Sequence, residues 1–104
     1  MTTTPIVALD VPSQERAMDL VMQLGASCEF YKVGSELFTA CGPSIVEVLC
    51  NEGKRVFLDL KFHDIPNTVR SAARAGAACG ASLLTVHGAG GSAMVRAAVD
   101  GAGN

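Results

Sequence analysis

Asp59, Lys61 and Asp64 are spaced two and three residues apart in Arg55-Val56-Phe57-Leu58-Asp59-Leu60-Lys61-Phe62-His63-Asp64-Ile65-Pro66-Asn67-Thr68. The first eight of these residues have the alternating, mostly apolar character of a strand, and residues two apart on a strand share a face. Val56, Leu58, Leu60 and Phe62 then form one apolar face, while Phe57, Asp59 and Lys61 point the other way with both charges at the C-terminal end. Desolvating an ion pair can cost more than its Coulomb attraction returns, so a pair set in an apolar strand calls for a reason beyond stability. Catalysis by fixed charge is one such reason. A structural ion pair is the other reading of the pattern alone.

The elements that must hold these groups follow one another regularly. Pro5-Ile6-Val7-Ala8-Leu9-Asp10-Val11 reads as a strand buried on both faces, with Asp10 as its last inward polar group. Ser13 suits the cap of a helix carrying Ala17, Leu20, Val21 and Leu24 on one face, and Gly25 suits its stop. Phe30-Tyr31-Lys32-Val33-Gly34 is a second strand, again with an ionisable group in an apolar run. Gly42-Pro43-Ser44 restarts helix around Ile45, Val48 and Leu49, and Gly53 closes it before the third strand.

Beyond that strand, Pro66 fits the first turn of a helix whose narrow face is Val69, Ala72, Ala73 and Gly76. A mid-helix glycine costs about 1 kcal/mol relative to alanine, so close approach is expected at Gly76. Asn67 or Thr68 is a candidate cap for this helix, and Gly80 ends it. Leu83-Leu84-Thr85-Val86-His87 forms the fourth strand, and Met94, Val95, Ala98 and Val99 line a last helix. Gly88-Ala89-Gly90-Gly91 lacks the lysine and spacing of a phosphate loop and reads as a strand-to-helix turn. His63 reads as loop structure, and His87 as a hydrogen-bonded interior group.

Asp10, Lys32, Asp59 and His87 mark corresponding strand ends at separations of 22, 27 and 28 residues. Alternating strands and helices predict an α/β fold with a parallel sheet and right-handed crossovers. Ile6, Ala8 and Asp10 share a phase, as do Phe30 and Lys32, Phe57, Asp59 and Lys61, and Leu83, Thr85 and His87, and each set turns polar toward its C-terminal end. That polarity favours a barrel, whose upper rim is the active site, over a doubly wound sheet with apolar strand faces. A (β/α)8 TIM-type barrel needs about 200 residues or more. Residues 1–104 are therefore expected to form a single partial barrel domain, its first four strand-helix units.

Composition narrows the classes of function. With 8 basic and 10 acidic residues mixed along the chain, a net charge of -2 offers no basic stripe for nucleic acid and no membrane-surface helix. Cys28, Cys41, Cys50 and Cys79 show no C-x-x-C spacing, which argues for reduced thiols over zinc or a disulfide framework. Met1-Thr2-Thr3-Thr4 carries no charged leader region and no apolar run approaches the roughly 18 residues of a spanning helix. A soluble, cytoplasmic protein is expected.

Ala8-Leu9-Asp10, Tyr31-Lys32-Val33-Gly34, Glu36-Leu37-Phe38, Asp59-Leu60-Lys61-Phe62-His63-Asp64-Ile65-Pro66-Asn67-Thr68 and Val86-His87-Gly88, in that order and spacing, resemble the orotidine 5'-phosphate decarboxylases. The D-x-K-x-x-D element alone is less specific, being shared with magnesium-dependent 3-keto sugar-phosphate decarboxylases and hexulose-phosphate synthases. Those relatives carry an acidic residue at the position of Lys32 and use it to hold magnesium, so Lys32 favours the metal-free decarboxylase.

The resemblance implies a complete (β/α)8 barrel working as a homodimer, with no metal or other cofactor, that converts orotidine 5'-phosphate to uridine 5'-phosphate in de novo pyrimidine biosynthesis. Lys32, Asp59 and Lys61 would be catalytic together with Asp64 contributed across the interface by the partner chain. Asp10, Ile65 and Thr68 would join them in binding substrate, Asp10 at the ribose hydroxyls and the other two against the ribose or ring. The fifth to eighth units, which hold most of the phosphate grip in that family, are not in this sequence. Binding energy from a remote phosphate serves the chemistry at the ring, so weak or no turnover is expected of residues 1–104 alone. A noncatalytic half-barrel that self-associates through its open sheet edges is the reading of a different class.

Overall fold

The computed structural model describes residues 2–103; Met1, where the expectation about a leader begins, and Asn104 lie outside the described residues. Four strands, β1 (Val7–Ala8), β2 (Phe30–Gly34), β3 (Arg55–Phe62) and β4 (Leu83–Val86), pair in parallel in the order in which they occur in the chain. Parallel neighbours require a crossover between them. Helix α1 (Gln14–Leu24) supplies the first crossover, α2 (Ser35–Cys41) and α3 (Ser44–Asn51) the second, and α4 (Pro66–Ala78) the third, while α5 (Ser92–Ala102) follows β4.

The helix boundaries have local causes. Ser13 accepts a hydrogen bond from Arg16 N at 3.2 Å and caps α1, and Gly25, at φ 51, ends it. Gly42, at φ 75, separates α2 from α3. For α4, Pro66 occupies the first turn, but the cap position falls to Ile65, whose hydrocarbon side chain makes no capping hydrogen bond. Neither Asn67 nor Thr68 caps that helix; both lie inside its first turn.

Two strand expectations are corrected. Strand β1 covers Val7–Ala8 instead of Pro5–Val11, and Ile6, Ala8 and Asp10 are exposed rather than buried. It pairs on one side only, through Val7 with Tyr31, Ala8 with Lys32 and the Leu9 N–H to Lys32 O at 3.0 Å. Strand β3 has the expected bounds, yet its pairing with β4 shifts register between Leu58 and Phe62. Within that bulge Lys61 has φ 50, so regular alternation stops after Leu60. Bulges of this kind re-aim a side chain near the end of a strand.

The helix-covered face of the sheet buries Leu9, Tyr31, Val33, Val56 and Leu58 against Ala17, Val21, Leu37, Ile45 and Leu49. A smaller cluster of Val69, Met94 and Ala98 joins α4 to α5. These two helices meet at Gly101, where a Cβ would run into the backbone carbonyl of Arg70, and Arg70 Nε bonds Asp100 Oδ2 at 2.9 Å beside the crossing. At Gly76, a Cβ would lie 3.2 Å from Leu58 Cδ2, which is the close approach to the sheet that its place in the sequence predicts. Cys28, Cys41, Cys50 and Cys79 are free thiols.

Candidate active site

Lys32 near the end of β2 and Asp59 and Lys61 on β3 come together at the C-terminal ends of the strands, where a parallel α/β sheet presents its ligand sites. Lys61 Nζ donates to both carboxylate oxygens of Asp59, at 3.0 and 3.1 Å. Lys32 Nζ lies 3.4 Å from Asp59 Oδ2. Two ammoniums thus converge on one carboxylate, leaving the trio with a charge of +1. Burial differs among them: the Asp59 side chain is 9% exposed and that of Lys61 is 60% exposed, so the cation stands forward of the anion that holds it.

Thr85 on β4 completes the arrangement. Its hydroxyl donates to Asp59 Oδ1 at 2.8 Å and accepts the backbone N–H of Lys61 at 2.9 Å. The Thr85 hydroxyl, followed by the Lys61 and Lys32 ammoniums, holds the Asp59 carboxyl below the usual carboxylate range against a desolvation that pushes it up. Lys61 itself sits in left-handed backbone, where a non-glycine residue carries about 1–3 kcal/mol of strain unless its surroundings fix it there. The Thr85 bond to the Lys61 amide is one such constraint.

The remaining expected residues are distributed around this trio. Asp10, two residues beyond β1, lies over Gly34, since a Cβ on Gly34 would be 3.8 Å from Asp10 Oδ1 and 4.0 Å from the Asp59 carbonyl oxygen. Gly34 is also the register partner of Asp59 on the adjacent strand, so Asp10, Gly34 and Asp59 follow one another across the rim. Asp64 is not bonded into the trio; its Oδ1 accepts the N–H of Ile65 at 2.7 Å. With Thr68 it lines a hollow of about 280 Å³ that also includes Lys61, His63 and His87. Ile65 is 65% exposed on the same loop.

His87 departs from the expected hydrogen-bonded interior group. Its ring is exposed and leans on His63, with ring centroids 5.1 Å apart, while its backbone N–H extends the β3–β4 pairing to Phe62 O at 3.0 Å. Thr85 is the site residue that sequence reasoning missed. The available signal was its phase, because it shares the Leu83, Thr85, His87 face that turns polar toward the rim.

Residues 3–104 match the model of the orotidine 5'-phosphate decarboxylase / HUMPS family. The chain belongs to that family. It is 53% identical over 102 residues to an orotidine 5'-phosphate decarboxylase of Cutibacterium acnes, a match that covers 98% of this chain and 43% of that protein. The Nostoc decarboxylase of the same family is 56% identical over 93 residues, covering 89% and 39%. Among solved structures, the orotidine 5'-phosphate decarboxylase of Lactobacillus acidophilus superposes with a TM-score of 0.90 at 43% identity, covering 96% of this chain and 45% of that one. The enzyme from Methanocaldococcus jannaschii, complexed with the inhibitor BMP, gives 0.90 at 30% identity, covering 98% and 48%. The chain therefore spans less than half the length of these decarboxylases, and its four parallel strands and helices are the half-barrel portion they share with it.

Proposed function

We propose that this chain supplies the charged half of an orotidine 5'-phosphate decarboxylase active site, which releases carbon dioxide from the orotate ring and yields uridine 5'-phosphate for pyrimidine biosynthesis. The observation that carries this reading is the double hydrogen bond from Lys61 Nζ to Asp59, at 3.0 and 3.1 Å, on a rim that also holds Lys32.

Loss of carbon dioxide leaves an electron pair on a ring carbon, and a fixed ammonium is the group that stabilises it. Lys61, anchored at Asp59 and 60% exposed, faces that charge and then delivers the proton that completes the product. Asp59 opposes the substrate's own carboxylate. Two such charges about 4 Å apart repel by roughly 4 kcal/mol at an effective dielectric near 20, a stress released as carbon dioxide departs. Lys32 orients Asp59 and reaches the ribose, and Asp10 accepts from ribose hydroxyls. Ile65 and Thr68 lie against the ribose or ring, and in a homodimer Asp64 completes the charged set of the partner chain, which fits its absence from the trio of its own chain.

The family also includes the hexulose-phosphate enzymes named with it. Lys32 weighs against that branch, because an ammonium 3.4 Å from Asp59 already occupies the electrostatic place of a cation. The test joins this chain to the remainder of the Cutibacterium acnes decarboxylase and follows the absorbance of orotidine 5'-phosphate. Turnover without added magnesium, abolished by Lys61→Ala, is expected, with no robust turnover from residues 1–104 alone. A magnesium requirement, or a Lys61→Ala fusion that retains its rate, defeats the proposal.

A further inference from the structure

We infer that Thr85 is a positioning residue, which fixes Asp59 and Lys61 relative to each other through a single hydroxyl. The inference deepens the decarboxylase reading and rests on it for its catalytic consequence, though not for its geometry.

A hydroxyl has one proton to give and two lone pairs with which to accept. At Thr85 the proton goes to Asp59 Oδ1 at 2.8 Å and a lone pair takes the Lys61 N–H at 2.9 Å. The two bonds have opposite polarity, so they fix both the carboxylate rotamer of Asp59 and the peptide plane entering Lys61. Those are the two coordinates that decide where the ammonium stands. Lys61 lies in left-handed backbone inside a register shift, where the regular ladder does not hold it. The Thr85 hydroxyl takes the place of the missing ladder partner. Bonds of this kind to a charged group are stronger than neutral ones, and a group held within tenths of an ångström of its working place loses much of its effect when released.

Thr85 bonds Asp59 and the Lys61 amide and neither ammonium, and on this reading it does not meet the reacting ring. Its loss is therefore expected to lower kcat in the fused enzyme by roughly ten- to a hundredfold, with KM changed little. Thr85→Val keeps the shape and removes both bonds, Thr85→Ala removes them with less bulk, and Thr85→Ser keeps them.

The decisive measurement needs no turnover. In the chain itself, labelled at aspartate and lysine and followed by NMR, Thr85→Val or Thr85→Ala should move the Asp59 carboxyl titration to higher pH and speed exchange of the Lys61 amide, while Thr85→Ser restores both. Slow exchange of the Lys61 amide in the unsubstituted chain is required as well, and that measurement stands even if a variant fails to fold. An Asp59 titration and a Lys61 amide unmoved by the loss of the hydroxyl, or an unprotected amide in the unsubstituted chain, overturn the positioning role. If both respond as expected while every fused enzyme is inactive, Thr85 keeps its role and the decarboxylase reading alone falls.

Discussion

Lys61 turns back onto Asp59, two residues earlier on the same strand, and does so from left-handed backbone with φ 50. Lysine has no intrinsic preference for that region, whereas glycine enters it freely. The side chain and the backbone of Lys61 therefore have separable consequences.

Lys61→Gly and Lys61→Ala both remove the ammonium, so both should abolish decarboxylation in the fused enzyme. Their stabilities should differ. Glycine at a positive φ escapes the penalty that alanine retains, and Lys61→Gly is expected to be the more stable by about 1 kcal/mol in urea unfolding. Equal midpoints would mean that the bulge relaxes once the ion pair is gone.

Asp59 predicts a specific acid sensitivity. The Thr85 hydroxyl, then Lys61 and Lys32, place its folded value below its ordinary value of 3.8. A carboxyl lowered on folding contributes stability that is complete above the unfolded value and is lost as pH falls through the folded one. Thermal unfolding followed by circular dichroism should show Tm falling from about pH 3.8 downward, and Asp59→Asn should lose that part of the slope. An identical slope in the variant would place the acid sensitivity elsewhere.

Tyr31 is the single tyrosine, so its titration can be read directly in the ultraviolet. Burial, with a smaller contribution from the nearby Cys28 thiol, pushes its phenol up to about 12. Among the described residues the buried hydroxyl has no hydrogen-bond partner, and the Cys28 thiol gives its own proton to Phe30 O at 3.2 Å. The unfolded chain loses the phenolic proton first, so stability should decline as pH rises from 10 toward 12. Tyr31→Phe should abolish that decline and raise neutral-pH stability by up to about 1 kcal/mol. A phenol titrating near 10 in the folded chain would show the site to be wet.

Gly101 should tolerate substitution less well than Gly76, although both are buried helical glycines. A Cβ at Gly101 meets the backbone of Arg70, which cannot yield without separating α4 from α5. At Gly76 the nearest atom is the end of the Leu58 side chain, which can rotate. Gly101→Ala is expected to cost about 1–3 kcal/mol and Gly76→Ala distinctly less, measured by urea midpoints. The reverse order would contradict the helix crossing described above.

The legible parts of the molecule are those that local chemistry dictates. Strands β2 and β3 carry their bounds in their apolar runs, Ser13 and Gly25 announce the ends of α1, and Gly42-Pro43-Ser44 announces the start of α3, whereas the short α2 has no such signal in the sequence. Strand β1 is shorter than its apolar run, its pairing with β2 being limited to Val7 and Ala8. Lys32, Asp59 and Lys61 were visible as charges out of place in apolar strands. The bulge at Lys61 was not, since nothing in Leu60-Lys61-Phe62 distinguishes a left-handed lysine from an extended one. Thr85 escaped for a related reason: a lone threonine is at home in any strand, and only the register of β3 against β4 brings it to Asp59.

Among the described residues every strand pairs only with its neighbours in the sequence, and Val7 meets Tyr31, Tyr31 meets Val56 and Phe57 meets Leu83 at separations of 24, 25 and 26 residues. Such short spans make loop closure inexpensive and let each pairing follow the one before as the polypeptide leaves the ribosome. The trio is then synthesised in order, Lys32 first and Asp59 with Lys61 next, and the Thr85 hydroxyl joins it last. Until β4 docks, a nascent chain lacks the hydroxyl that fixes Asp59 beside its two ammoniums.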